Sequence, residues 1–466
     1  MMNLGLIGRM AALVVAVKFL LGLLDLAPLF FLGDSATYLS AAIEGYLPVD
    51  RSFTYPRLLT WLAVYPGSLT GVLIAQMASG AVASLLLGFS LFRYARVRPG
   101  IAMAASLALA LDPLNVVHER LVLTESLALL GYAGVLTLGL AYVERPRFLV
   151  IAATCALGVA LVSLRFVFIP LVLLFPLLLV AIAGVTFRDA RLSGPRWLVL
   201  AAHLLGAVVL TGWMHHGYRA YVGRHFRGHP GYQHMDGLML LGAWSPMVEA
   251  NDTPNARFAA IIAQLRQDSG VPSGLRLHRE AQIWQPGGLA ETLVRDVFAG
   301  DRIAANAAAK QACRTAVFRD PRGIASLGAM TWIEYLNPST MQERILVEQG
   351  WARPLDERFL QVVRVRFGFD AARIHLVLTP ARSYHRFGWP WYIVLALSPL
   401  LNLAAVFVVP REQRPAALLL AVCAMLLMVV TVLTAPGAVV RYLQPFTVTA
   451  WAAIALLVSA AIPRPE

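Results

Sequence analysis

Long apolar runs, separated by short polar turns, dominate residues 10–213 of this chain, and the pattern returns from 389 to 462. A membrane-crossing helix needs about 20 mainly apolar residues. On that measure the candidates lie at 10–32, 68–92, 101–117, 121–143, 148–164, 166–187, 197–213, 389–409, 415–435 and 440–462. The pattern predicts an α-helical polytopic membrane protein with about 10 transmembrane helices. Three candidates are short, and 148–187 is one apolar run broken only by Arg165, so counts from nine to eleven fit. The first run follows Arg9, extends to Leu32 and lacks a small-x-small cleavage site, so it is expected to stay as a first helix.

Charge in the turns orients these spans. Arg93, Arg96 and Arg98 follow the second; Arg145 and Arg147 follow the fourth; Arg188, Arg191 and Arg196 surround the turn after the sixth; Arg411 and Arg414 separate the eighth and ninth. All fall on one side if ten spans leave both termini inside. The positive-inside rule then makes both termini cytoplasmic and places 33–66 and 214–388 outside. The expected organisation is an N-terminal module at 1–213 with about seven helices, an extracytoplasmic domain at 214–388 between helices 7 and 8, and a C-terminal module at 389–466 with about three. Helix-like apolar spacing at 255–268, 288–318 and 340–366 makes that domain mainly helical. No internal repeat of fixed period is visible.

Composition agrees. The chain is 58% hydrophobic and 14% charged, with mean hydropathy +0.66, against about 25% charged in soluble domains. A net charge of +13 would suggest nucleic acid for a soluble protein. Here the arginines flank apolar runs or lie in one polar block, so topology accounts for many of them, and no nucleic acid is expected. The three cysteines, Cys155, Cys313 and Cys423, suggest neither a disulfide framework nor a metal cluster.

Four polar interruptions remain, all on the outward side. Asp34 opens the first outward loop and is followed by Tyr38, Arg51, Tyr55 and Arg57. An acid here serves equally as a helix N-cap, but its cationic and aromatic company favours a binding site. The stretch DPLNVVHERLVLTESLALL places Asp112, His118, Glu119, Arg120 and Glu125 around a short turn. Glu125 falls about one turn inside the next helix, where an acid is costly unless paired; alternatively it helps to start that helix, with Arg120 as its partner. Arg165 in LVSLRFVFIP either snorkels to the interface or faces an anionic group. Arg441 and Tyr442 in APGAVVRYLQPF begin the last span, where Tyr is common in any case. The histidine-rich stretch 213–234 has neither HExxH nor a Cys–His finger and reads as an interfacial surface, with no metal ligand assigned. One outward cavity explains all four interruptions together.

In these motifs the chain resembles the polytopic GT-C glycosyltransferases that use lipid-phosphate-linked sugars, such as the protein mannosyltransferase and aminoarabinose transferase families. The likeness lies in GDSATYL with Asp34, TYPRLLTWL, HERLVLTESLALL, LVSLRFVFIPL and VVRYLQPF, in that order, and covers roughly 1–213 and 389–462. It departs where many members have an Asp–Glu pair, since Asp34 is followed by Ser35. The resemblance implies inverting transfer of a sugar from a polyprenyl-phosphate donor to an acceptor hydroxyl on a glycan, lipid or protein, at the outer face of a bacterial inner membrane, with Asp34 as general base. Arg57, Arg165 and Arg441 are the phosphate-binding candidates, because guanidinium suits phosphate oxygens. Glu125, with His118 or Glu119, is expected to orient the acceptor or polarise the base, and Tyr38, Tyr55 and Tyr442 are the aromatic substrate contacts. These residues name no cofactor, and a divalent metal is compatible with the family. The other readings are a transporter or flippase for a lipid-linked or anionic substrate and a non-catalytic assembly protein.

Overall fold

A computed structural model of the chain describes residues 4–186, 196–226, 228–268, 279–348 and 355–462. Among them are helices and turns but no strand, only an isolated parallel bridge between Leu29 and Leu121. Among the described residues, eight helices are long and apolar enough to cross a membrane: Gly5–Leu24, Thr70–Arg93, Glu125–Glu144, Phe166–Val185, Trp197–His225, Trp389–Val408, Arg414–Thr434 and Val440–Ala461. The third and fifth expected spans are shorter helices, Pro99–Ala110 with 12 residues and Phe148–Leu164 with 17. At 1.5 Å per residue they reach only about 18 and 26 Å. The third stops early because the Asp112 side chain accepts from Leu114 N (3.0 Å) and Pro113 takes the first helical position of a new helix, Pro113–His118.

Two other boundaries shift. The first helix ends at Leu24, and the 25–31 stretch runs beside 120–122, where Leu29 N donates to Arg120 O (2.8 Å) and Val122 N to Leu29 O (2.9 Å). The seventh expected span continues to His225, so His215 and His216 belong to that helix. The polar block beyond it is helical, with Asp236–Ala243, Ala256–Asp268, Arg302–Arg319, Pro321–Leu336, Pro338–Glu348 and Glu357–Phe367. It has an apolar cluster of its own around Leu241, Phe258, Leu293, Ala309 and Cys313. Residues 349–354 of the expected 340–366 helix, and Arg188 and Arg191, lie outside the described residues.

Lipid tails are as apolar as leucine, so close packing rather than burial holds neighbouring spans together. Glycines provide the close approach: a Cβ on Gly158 would stand 2.6 Å from Val172, and one on Gly139 2.7 Å from Phe175. The arginine-rich turns gather at one end of the bundle, where Arg93 pairs with Glu144 (2.7 Å), Gln413 Nε2 donates to Arg96 O (3.1 Å) and Arg98 Nη2 to Ile462 O (3.0 Å). The first loop and the 112–124, 164–168 and 435–443 connections meet at the other end.

An ion network lies inside the bundle. Lys18 Nζ donates to Glu119 Oε1 (2.5 Å) and Ala110 O (2.6 Å), while Arg120 reaches Glu119 (3.2 Å), Leu21 O (2.9 Å) and Val116 O (2.9 Å). All three side chains are buried. Removing the shared carboxylate strands buried charge on both sides, so Glu119→Gln is expected to cost about 3–5 kcal/mol of stability. Thermal unfolding in detergent checks this, and the double variant Lys18→Met/Glu119→Gln should regain part of the loss.

Candidate functional site

The site is built on the helix Leu32–Glu44. It starts after Phe31, whose backbone N–H donates to Ser35 Oγ (2.8 Å); that hydroxyl in turn donates to Val122 O (3.1 Å). Ser35 therefore pins the helix start to the 120–122 stretch and is itself fully buried. Asp34 is not the N-cap: it sits in the first turn. Gly45 ends the helix with φ +76°, a conformation that favours glycine, and its N–H returns to Ala41 O (2.9 Å).

Two guanidiniums hold Asp34. Oδ1 pairs with Arg51 Nη1 at 2.6 Å, and Oδ2 accepts from Arg441 Nη1. Arg51 also faces Asp50 (3.2 Å) and covers the Tyr38 ring, with 5.5 Å to its centroid. Arg441 lies over Phe31 (4.4 Å) and beside Tyr442 (5.3 Å). Arg165 also lies beside Tyr442 (5.6 Å), and its Nη1 is 3.4 Å from Glu125 Oε1. Burial pushes the Asp34 carboxyl up, but the charges of Arg441 and Arg51 outweigh it and hold the group well below the usual carboxylate range. Burial lifts the Tyr38 hydroxyl to about 12, keeping it a proton donor at neutral pH.

A cavity of about 390 Å³ opens over this cluster. Asp34, Tyr38, Glu125, Arg165, Arg441 and Tyr442 all line it, together with Arg51, Asp50, Gln233 and Asp236. The apolar part of its lining comes from Ile169 and Pro170 on one span, Val430 on another, and Met239 and Leu240 of the Asp236–Ala243 helix. Arg441 Nε and Arg165 Nη1 are buried and make no hydrogen bond among the described residues. The site thus holds the Asp34 carboxylate between two cations, with a third, Arg165, paired to Glu125.

Four sequence candidates lie elsewhere. Glu119 faces into the bundle as the partner of Lys18 and Arg120, a structural pairing invisible locally because Lys18 is 101 residues away. His118 bonds Leu114 O through Nδ1 (2.7 Å), is driven to about 4 by burial, and lines a small separate cavity with Glu348, Arg382 and His385. Tyr55 is buried behind Tyr38 (ring centroids 5.0 Å apart) and donates to Gln76 Oε1 (2.7 Å), which braces the 118–121 turn. Arg57 is exposed and reaches Tyr221 (3.5 Å) outside the cavity lining. Arg51, which the sequence offered only as part of the cationic company of Asp34 and not as a phosphate-binding candidate, is one of its two direct partners.

The carboxylates at the centre are engaged by arginines, and no group of three or more metal-type ligands is gathered among the described residues. The donor set around Asp34 does not fit a divalent cation. The histidine-rich stretch packs on the first loop, where Tyr218 stacks on Phe53 (5.4 Å) and His234 N donates to Val49 O (2.8 Å), and on itself, where His215 Nδ1 bonds the Tyr232 hydroxyl (2.5 Å).

No protein-family model and no curated protein matches the chain. Among solved structures it is similar to the crystal structure of ArnT from Cupriavidus metallidurans bound to undecaprenyl phosphate, with 17% sequence identity and a TM-score of 0.33, over 96% of this chain and 78% of that one. A likeness of that size assigns no residue and no activity.

Proposed function

We propose that the protein is a membrane glycosyltransferase of the GT-C type that moves a sugar from a polyprenyl-phosphate donor to an acceptor hydroxyl, with inversion, at the end of the bundle that faces outward. The observation that carries the reading is Asp34 clamped between Arg51 and Arg441 in a cavity that also holds Arg165 and an apolar wall. The motif resemblance points to the same chemistry.

In this reading the polyprenyl chain lies along the apolar wall and its phosphate meets Arg441 and Arg165, whose guanidinium forks line the cavity and suit phosphate oxygens. A carboxylate paired with two arginines is a poor base. Phosphate competes with Asp34 for Arg441, so donor binding loosens one side of the clamp, leaves Arg51 in place and raises the basicity of Asp34. Asp34 then takes the acceptor's hydroxyl proton as the acceptor oxygen bonds to the anomeric carbon. The bond from that carbon to the phosphate oxygen breaks, its electron pair leaves with the polyprenyl phosphate, and the arginines stabilise the charge that builds there. Glu125, held by Arg165, lines the acceptor side of the same space.

The test is a single purified-protein experiment in liposomes loaded with a polyprenyl-phosphate sugar and an acceptor panel. A glycosylated product of inverted anomeric configuration is expected. Movement of the lipid-linked sugar between leaflets without any glycosyl product would instead favour a flippase.

A further inference from the structure

The connection at 433–441, which carries Arg441, is held almost entirely by side chains from the polar block. Trp244 Nε1 donates to Leu433 O (2.6 Å), and Arg279 Nη1 to Ala435 O (3.4 Å). Glu334 Oε2 accepts from Ala438 N (3.2 Å). The Tyr335 hydroxyl accepts from Val439 N (3.1 Å) and donates to Val439 O (3.0 Å). Glu348 completes the series: Oε1 accepts from Val440 N (2.5 Å), and the carboxylate accepts from Arg441 N at 3.2 and 3.3 Å. Every backbone N–H from Ala438 to Arg441 is therefore taken by a side chain of the block. Such groups ordinarily go to water or to neighbouring backbone in a turn.

Gly437 allows this fit, since a Cβ there would stand 3.0 Å from Arg344 Nη2. Arg344 is committed to Glu280 (2.7 Å). Tyr335 and Glu348 are buried. Arg441 is consequently gripped at both ends, by Glu348 at its backbone and by Asp34 at its guanidinium.

We propose that Glu348 is a positioning residue for Arg441, setting where its guanidinium meets Asp34 and the donor's phosphate, and that this is how the polar block takes part in the reaction site. The inference rests on the reading of the cavity as a polyprenyl-phosphate site. It gives the Pro338–Glu348 helix a role that no motif in the block announces.

The experiment is undecaprenyl phosphate binding to the purified full chain in nanodiscs, with melting temperature recorded for each variant. Wild type is expected to bind. Glu348→Ala should bind about ten- to a hundredfold more weakly, the scale of a small misplacement of a site group. Glu348→Gln, whose amide oxygen still accepts the two N–H groups, should bind close to wild type. In an Arg441→Gln background Glu348→Ala should add no further loss, because both changes act through one contact. If Glu348→Ala fails to fold, Tyr335→Phe, which removes both contacts to Val439, should weaken binding in the same Arg441-dependent way. Wild-type affinity in a folded Glu348→Ala, or a loss that adds in full to that of Arg441→Gln, overturns the positioning role while leaving the donor site standing. Failure of the wild type itself to bind sinks the donor-site reading, and the role of Glu348 with it.

Discussion

Asp34→Asn is expected to leave a folded protein whose transfer rate falls by roughly a hundred- to ten-thousandfold, the range that general-base catalysis supplies. Asparagine keeps the size and one acceptor oxygen but has no basic site for the acceptor's proton. It also leaves Arg51 and Arg441 without the anion between them, so donor phosphate should bind at least as tightly as in wild type. A loss of kcat with an undiminished affinity for polyprenyl phosphate is the expected signature, read by steady-state kinetics alongside direct binding. Full transfer by Asp34→Asn would remove this residue as the base.

The clamp on Asp34 also fixes a pH dependence. In the free protein its carboxyl is held well below the usual range, so it stays ionised through the mildly acidic region. The kcat/KM profile reports free-enzyme groups and the kcat profile those of the bound complex. Once phosphate draws off Arg441, the Asp34 carboxyl rises toward the ordinary value of about 4, so its acid limb should lie at higher pH in kcat than in kcat/KM. The folded-state value is depressed, so the clamp's contribution to stability is fully present above about pH 4 and is lost as pH falls through the folded value.

The second large effect is expected at Arg441. Arg441→Gln removes a guanidinium that touches Asp34 and that the proposed mechanism assigns to the leaving phosphate. Loss of one such preorganised donor costs about a hundred- to a thousandfold in rate. Arg441→Lys restores the charge but not the fork that reaches Asp34 and phosphate together, so it should recover only part of the loss. Kinetics with both variants separate charge from geometry: equal activity of Lys and wild type would show that a point charge suffices. Equal activity of Gln and wild type would take Arg441 out of the phosphate site.

Much of this arrangement was legible in the chain itself, for reasons that differ from residue to residue. Hydropathy located the spans because a bilayer admits few alternatives to long apolar helices. It missed the break at Asp112–Pro113 because neighbouring apolar residues outweigh one cap in a long window. Asp34, Glu125, Arg165 and Arg441 stood out as polar interruptions of apolar sequence, and all four line one cavity. Glu119 looked similar for the same reason, but its partner Lys18 lies on the first span, and no local pattern carries that pairing. Glu348 was hidden differently. It lies in a block where charge is common, and its partners are backbone N–H groups 92 and 93 residues further along.

The central claim is tested most directly by release of free polyprenyl phosphate from sugar-loaded polyprenyl phosphate, measured with purified protein across a panel of donor sugars. The account predicts that at least one donor yields carrier and glycosylated acceptor in equal amounts, only when acceptor is present, and that Asp34→Asn yields neither. Carrier release that ignores the acceptor, or no release from any donor by a folded protein that binds the carrier, would contradict it.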